Sequence, residues 1–143
     1  MALLSFQFQY HYEQSSEKVF VPIRLRSGNL VTTPLLPHLD TGSPMNVFRA
    51  EIAEIVNIAY DQTEQVIRMG TAGGSSFLAY GHALTLEVIG STLSFETTVY
   101  FAPWLPGIGP DVGVLGLRDF ATKLRIGLVH YERALYFGDY NAL

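Results

Sequence analysis

Apolar and polar side chains alternate with a period of two along most of this chain, the signature of strands with one buried face. Leu4, Phe6, Phe8, Tyr10 and Tyr12 alternate with Ser5, Gln7, Gln9 and His11 and predict the first strand. Val19, Val21, Ile23 and Leu25 alternate with Phe20, Pro22, Arg24 and Arg26 before Ser27-Gly28-Asn29 turns the chain. Pro22 has no amide hydrogen, so this second strand is expected at an edge or with a bulge. A third apolar run, Pro34-Leu35-Leu36-Pro37-His38-Leu39, leads into Asp40, its prolines marking local irregularity. Over 48–59 the period changes: Ile52, Ile55, Val56 and Ala59 fall at helical spacing with Glu51 and Glu54 off that face, predicting a short amphipathic helix. Strand character returns over 65–69, and a loop of small residues follows over 70–76. Leu84, Leu86 and Val88, then Leu93, Phe95, Thr97, Val99 and Phe101 beyond Gly90-Ser91, read as long antiparallel hairpins.

Residues 103–110 predict a Pro- and Gly-rich loop around Trp104. Residues 112–117 then form an apolar strand with glycines at close-packing positions. Residues 118–125 read as a second short helix with Leu117, Phe120, Ala121 and Leu124 inward, and 134–137 as a last strand ending at Gly138. Seven or more strands with one or two short helices predict an all-β, mostly antiparallel fold of barrel or sandwich type. The chain shows no internal repeat, low-complexity segment or linker, so residues 1–143 are read as one domain.

Composition narrows the function classes. At 143 residues and 48% hydrophobic content the chain has enough apolar material for one core and too little length for two. Nine Lys and Arg against 13 Asp and Glu give a net charge of -4 with no basic block, so a nucleic-acid partner is not expected. With no cysteine, disulfides, thiol nucleophiles and zinc-thiolate sites are excluded. The first eight residues lack a basic region and are interrupted by polar residues. No apolar run approaches the roughly 20 residues that span a bilayer. The expectation is a soluble, cytoplasmic protein without a membrane partner.

Most familiar catalytic sites fail on spacing. His11, His38, His82 and His130 lack the i, i+4 spacing and neighbouring carboxylates of a zinc helix, so no metal is expected. Residues 70–76 lack the Gly-Lys-Ser/Thr ending of a phosphate loop, Gly107-Ile108-Gly109 opens no helix, and no Ser sits in a Gly-x-Ser-x-Gly elbow. What remains is a constellation in one order. Leu39-Asp40-Thr41-Gly42-Ser43 ends an apolar strand, a glycine-bearing hairpin tip follows about 30 residues later, and Val114-Leu115-Gly116 precedes a helix. An Asp before a Gly is, by itself, most often a turn former.

With these three features in order, the chain resembles the retropepsin-like aspartic peptidases, the single-lobed relatives of the retroviral proteases, over about 19–137. The resemblance implies a closed β-barrel or sandwich with one lobe per chain and Asp40 as the catalytic residue. By the same resemblance Thr41 locks the two Asp loops together across a dimer axis, Gly42 admits the substrate backbone, and Ser43, Leu115 and Gly116 support the loop. Gly73, Gly74 and Ser75 then form a flap whose amides bind substrate carbonyls; a flexible hairpin without a ligand is the plainer reading. Two carboxylates about 3 Å apart share one proton in such enzymes, and this chain has a single Asp-Thr-Gly, so a homodimer is implied. It would be an endopeptidase on peptides with apolar residues about the cut, and no cofactor is implied.

Departures accompany the matches. Retroviral members pair an acidic residue just beyond this motif with an Arg after the supporting Gly, whereas this chain has Pro44 and Met45 at the first place and Leu117 at the second. A catalytically weak or inactive binding and dimerisation module on the same fold is therefore the alternative, and small-molecule binding in a barrel a third. His38 lies two residues before Asp40 and shares its face; a protonated His38 there moves the pH optimum, whereas a kink at Pro37 turns it outward. The terminal strands, Leu4 to Tyr12 and 134–137, are either intersubunit or ordinary edge strands.

Overall fold

The alternating stretches become strands, and the chain folds as two sheets. The computed structural model describes residues 3–13, 17–70, 73–103 and 112–140. The expected loop at Trp104 and the Thr71-Ala72 part of the glycine-bearing tip lie outside the described residues. In order the elements are β1 (Phe8–His11), β2 (Ile23–Ser27), β3 (Leu30–Val31), β4 (His38–Leu39), β5 (Asn46–Arg49), helix α1 (Ala50–Ile55), β6 (Val66–Gly70), β7 (Ser76–Val88) and β8 (Ser94–Ala102). They continue with β9 (Gly113–Leu115), a π-helical turn (Leu117–Ala121), β10 (Leu124–Val129), a 3-10 turn (His130–Glu132) and β11 (Ala134–Asp139). Among the described residues no helix is long and apolar enough to cross a membrane.

The larger sheet runs β3-β2-β7-β8-β5-β9-β4, with β6 paired to β7 beside it. Its two end strands, β3 and β4, belong to one irregular stretch that runs antiparallel to residues 19–27. Arg26 pairs with Val31, the Ile23 and Leu35 amides each donate to the other's carbonyl at 2.9 Å, Val21 N–H donates to Pro37 O, and Leu39 N–H to Val19 O. The path therefore returns on itself, the arrangement of a barrel. Pro34 and Pro37 lack the N–H groups that would continue a regular ladder, which is why this stretch carries two short strands rather than one long one.

Inside lie Val21, Ile23, Leu25, Phe48, Leu86, Val99, Phe101, Leu115 and Phe120, essentially removed from water. Fully burying a side chain such as Phe contributes about 1.5–3 kcal/mol each. The smaller sheet, β1-β11-β10, docks on this core: the Phe137 ring meets Tyr10 edge-on at 5.4 Å and Phe120 at 6.1 Å. Tyr10 also donates its hydroxyl to Ile89 O in the β7–β8 turn. The terminal strands thus pair within one chain, Phe8 opposite Phe137 and His11 opposite Ala134.

Three expectations are corrected. The helix foreseen over 48–59 is only Ala50–Ile55, because Asn46–Arg49 is drawn into β5 between β8 and β9. Asn57, at φ 56 just after it, ends it in the left-handed region that Asn tolerates. The helix foreseen over 118–125 is a π-helical turn, in which Gly116 O accepts from both Phe120 and Ala121 N–H at 3.1 Å. The chain beyond it enters β10, and Leu117, foreseen inward, is 45% exposed. Pairing is mostly antiparallel, as expected, with β4–β9 and β5–β8 the parallel exceptions.

Candidate active site

Parallel pairing is what positions Asp40. His38 lies beside Val114 and Leu39 beside Leu115, and the Asp40 amide continues that ladder by donating to Leu115 O at 2.9 Å. The chain then turns sharply: Ser43 N–H donates to Asp40 O at 3.1 Å, and Gly42 N–H donates to Asp40 Oδ1 at 2.9 Å. One carboxylate oxygen is thereby pinned by its own loop, while the side chain remains 42% exposed, open to water and to a substrate. A Cβ on Gly42 would lie 3.1 Å from that same Oδ1, so a side chain there would press on the carboxylate.

Behind the loop sits support of two kinds. Leu117 N–H donates to Ser43 O and Arg118 N–H to Pro44 O, both at 2.8 Å, and the Ser43 hydroxyl donates to Met45 O at 2.8 Å. These backbone bonds occupy the place of the acid–Arg ion pair of retroviral members, for which this chain has Pro44, Met45 and Leu117. Arg118 instead pairs with its neighbour Asp119, at 3.3 Å. Deeper still is Asn46, fully buried. Its Oδ1 accepts from Gly116 N–H at 3.1 Å, and its Nδ2 donates to Thr98 O and Asp119 O at 3.3 and 3.2 Å. Its own N–H reaches Asp119 Oδ2 at 3.4 Å, and the Thr97 hydroxyl donates to Asp119 O. Asn46 thus ties the Gly116 strand, β8 and the π-helical turn into one satisfied network. Sequence reading passed over it.

Asp40 opens onto a cleft of about 1090 Å³ between the Asp loop and the β6–β7 hairpin. Of the other predicted site residues, His38, Gly42, Ser43, Gly73 and Ser75 line the same cleft. Gly74, at φ +83, makes the hairpin tip in a conformation that only glycine adopts without strain. Thr41 is exposed at the loop's corner and Leu115 is fully buried. Gly116 is packed so closely that a Cβ would lie 2.4 Å from Met45 O. His38 Nε2 stands 3.8 Å from Asp40 Oδ2, with the Phe20 ring edge-on at 6.5 Å. The cleft's inner wall is apolar: Ile67, Met69 and Phe77 from the hairpin pack with Met45, Val47 and Val114. Such a surface can take apolar side chains from an extended peptide, while an accessible carboxylate on the floor can exchange protons with a water held beside it. Among the described residues no cluster of His, Asp or Glu is arranged to hold a metal.

Neither a family model nor a curated protein sequence matches the chain. Solved structures do. A retropepsin-like aspartic protease from Rickettsia conorii aligns over 96% of each chain with a TM-score of 0.56 at 15% identity. The retroviral protease-like domain of Ddi1 from Leishmania major aligns over 90% of this chain and 100% of its own, with TM-score 0.53 and 12% identity. EIAV protease in complex with the inhibitor HBY-793 aligns over 73% of this chain and 86% of its own, with TM-score 0.52 and 17% identity.

Proposed function

From a retropepsin-like fold with Asp40-Thr41-Gly42 on the cleft floor, we propose that this chain is an aspartic endopeptidase active as a C2 homodimer. The observation that carries the reading is the Asp40 carboxylate, half-exposed, fixed by Gly42 N–H and the Leu115 ladder, and facing a glycine-bearing hairpin across an apolar cleft. One Asp40 supplies half of a dyad; a second copy supplies the other across the symmetry axis. With one proton shared between the two carboxylates, the ionised member takes a proton from water as the oxygen attacks the peptide carbonyl. The protonated member gives its proton to the carbonyl oxygen. Collapse of the tetrahedral intermediate returns protons through the same pair and releases an amine and an acid. The amides at Gly73, Gly74 and Ser75 close over the substrate as a flap, and the substrate lies as an added strand between flap and floor.

Asp40→Asn keeps the size of the side chain and removes its acid–base chemistry. The expected result is a loss of peptide hydrolysis on the order of 10³-fold or more with folding and dimerisation retained; an unimpaired Asp40→Asn dimer refutes the mechanism. The absence of the acid–Arg pair at Pro44, Met45 and Leu117 favours a second reading, a binding and dimerisation module without turnover. Native protein that binds a statine-type peptide yet cleaves nothing between about pH 4 and 7 supports that module over the peptidase.

A further inference from the structure

Two of the chain's three methionines, Met45 and Met69, line the cleft, and the chain has no cysteine. Met45 comes from the floor, between the Asp loop and β5, and Met69 from β6 in the hairpin, opposite Phe77. Both are partly buried, packed in the same apolar cluster as Val47, Phe77 and Val114. A thioether is oxidised without first losing a proton, and in a chain without thiols the thioethers are the most readily oxidised groups within reach of solvent. Backbone contacts hold Met45 in place: its carbonyl accepts from the Ser43 hydroxyl at 2.8 Å, and Gly116 packs directly against its N, C and O atoms. A change in the chemistry of this side chain is therefore felt in the cleft rather than absorbed by a shift of the chain.

We propose that Met45 and Met69 are a modification site, converted by a hydroperoxide to methionine sulfoxides that shut the cleft to apolar ligands until a methionine sulfoxide reductase reverses them. In the forward step the thioether sulfur attacks one peroxide oxygen, whose proton passes to the departing oxygen. The O–O bond breaks, an S–O bond forms, sulfur gives up two electrons, and the peroxide leaves as water or an alcohol. In the reverse step a dithiol of the reductase supplies two electrons and two protons: the sulfoxide oxygen leaves as water and the dithiol becomes a disulfide. Each sulfoxide sets a hydrogen-bond acceptor into a wall of Val47, Ile67, Phe77 and Val114, side chains that offer it no donor. An apolar group seated there then strips water from an acceptor left unsatisfied. Asp40 itself is untouched, so the effect falls on binding. The loss of affinity rests on the proposed reading of the cleft as a peptide site; the oxidation does not.

For the test, full-length Asp40→Asn protein is treated with hydrogen peroxide. Peptide mapping by mass spectrometry reads the added oxygen at each methionine, and circular dichroism follows the fold. Binding of a fluorescein-labelled decapeptide with a central Leu-Phe is read by anisotropy before and after treatment, and cleavage is read separately with the native protein. The expected result is one oxygen on Met45 and one on Met69 with the fold intact, an affinity lowered about tenfold or more, and recovery once a methionine sulfoxide reductase and dithiothreitol are added. Each protein is compared with itself, treated against untreated. Met45→Leu combined with Met69→Leu, a volume-conserving pair of changes, is expected to hold its own affinity within about twofold. That result assigns the loss to these two sulfurs rather than to Met1 or to damage elsewhere, and the reductase step tests reversibility without any further substitution. Unmodified Met45 and Met69 in folded, treated protein, an affinity unchanged after both are oxidised, an equal loss in the double variant, or no binding even before treatment overturns the proposal. Binding that is lost on oxidation and restored by the reductase, with no cleavage by native protein, refutes the peptidase and leaves the modification site standing.

Discussion

A methyl group on Gly116 would sit 2.4–2.6 Å from the N, C and O atoms of Met45, which are backbone and cannot rotate away. Gly116→Ala therefore must part β9 from the chain that follows the Asp loop. The expected destabilisation is about 3 kcal/mol, at the upper end for overpacking, read as a lowered denaturant midpoint at unchanged slope. Gly116 was legible in the sequence because it closes an apolar Val-Leu-Gly run after an Asp-Thr-Gly. Asn46 was not: a single amide among Met45, Val47 and Phe48 has no periodic signature, and its importance exists only once β8, β9 and the π-helical turn meet around it. The same holds for Asp119, which reads as one half of an ordinary Arg-Asp pair and proves 8% exposed.

Among the elements, legibility followed the number of covered faces. The first strand, β7 and β8 each bury one face or taper from it, so alternation announced them. In β5 the residues Asn46, Val47 and Phe48 are all buried, Val47 in the cleft-side cluster and Phe48 in the main core. A strand covered on both faces loses its period of two, and its apolar residues merged with the helix behind it. β10 was lost for the opposite reason: its outer half is exposed, and Leu124 served a helical pattern as well as a strand. The docking of the small sheet gives an element-level prediction. Burial raises the pKa of Tyr10 above its ordinary value, against a smaller lowering by a hydrogen bond with Ser91. Because the folded value lies above the unfolded one, the neutral phenol's contribution is complete below about pH 10 and is lost as pH rises through the folded pKa. Tyr10→Phe, which cannot ionise, is expected to show a flatter fall in thermal midpoint between about pH 9.5 and 11 than the native protein.

For the whole molecule, strand count and alternation pointed to a barrel or sandwich without choosing between them, and closure was implied only by the family resemblance. Closure depends on residues 30–39 following 19–27 despite two prolines, a pairing no local pattern encodes. In the proposed mechanism a second copy is required, because the sequence holds one Asp-Thr-Gly. Specific activity per protomer is accordingly expected to fall on dilution through the dimer dissociation constant, with sedimentation showing monomers over the same range; activity per protomer that stays constant where sedimentation shows only monomers excludes a shared dyad.

The pairing of β1 with β11 also has a consequence in time. Gln7 and Asp139, joined by a hydrogen bond from the Asp139 amide to Gln7 Oε1, are 132 residues apart. During synthesis β1 finds its partner only once the chain has been made out to β11. A closing contact of such long range slows folding, and until it forms an alternating, half-apolar strand waits without its neighbour. The small sheet, whose closing contact spans nearly the whole of this sequence, is thus expected to gain hydrogen-exchange protection later than the local β7–β8 hairpin of the larger sheet.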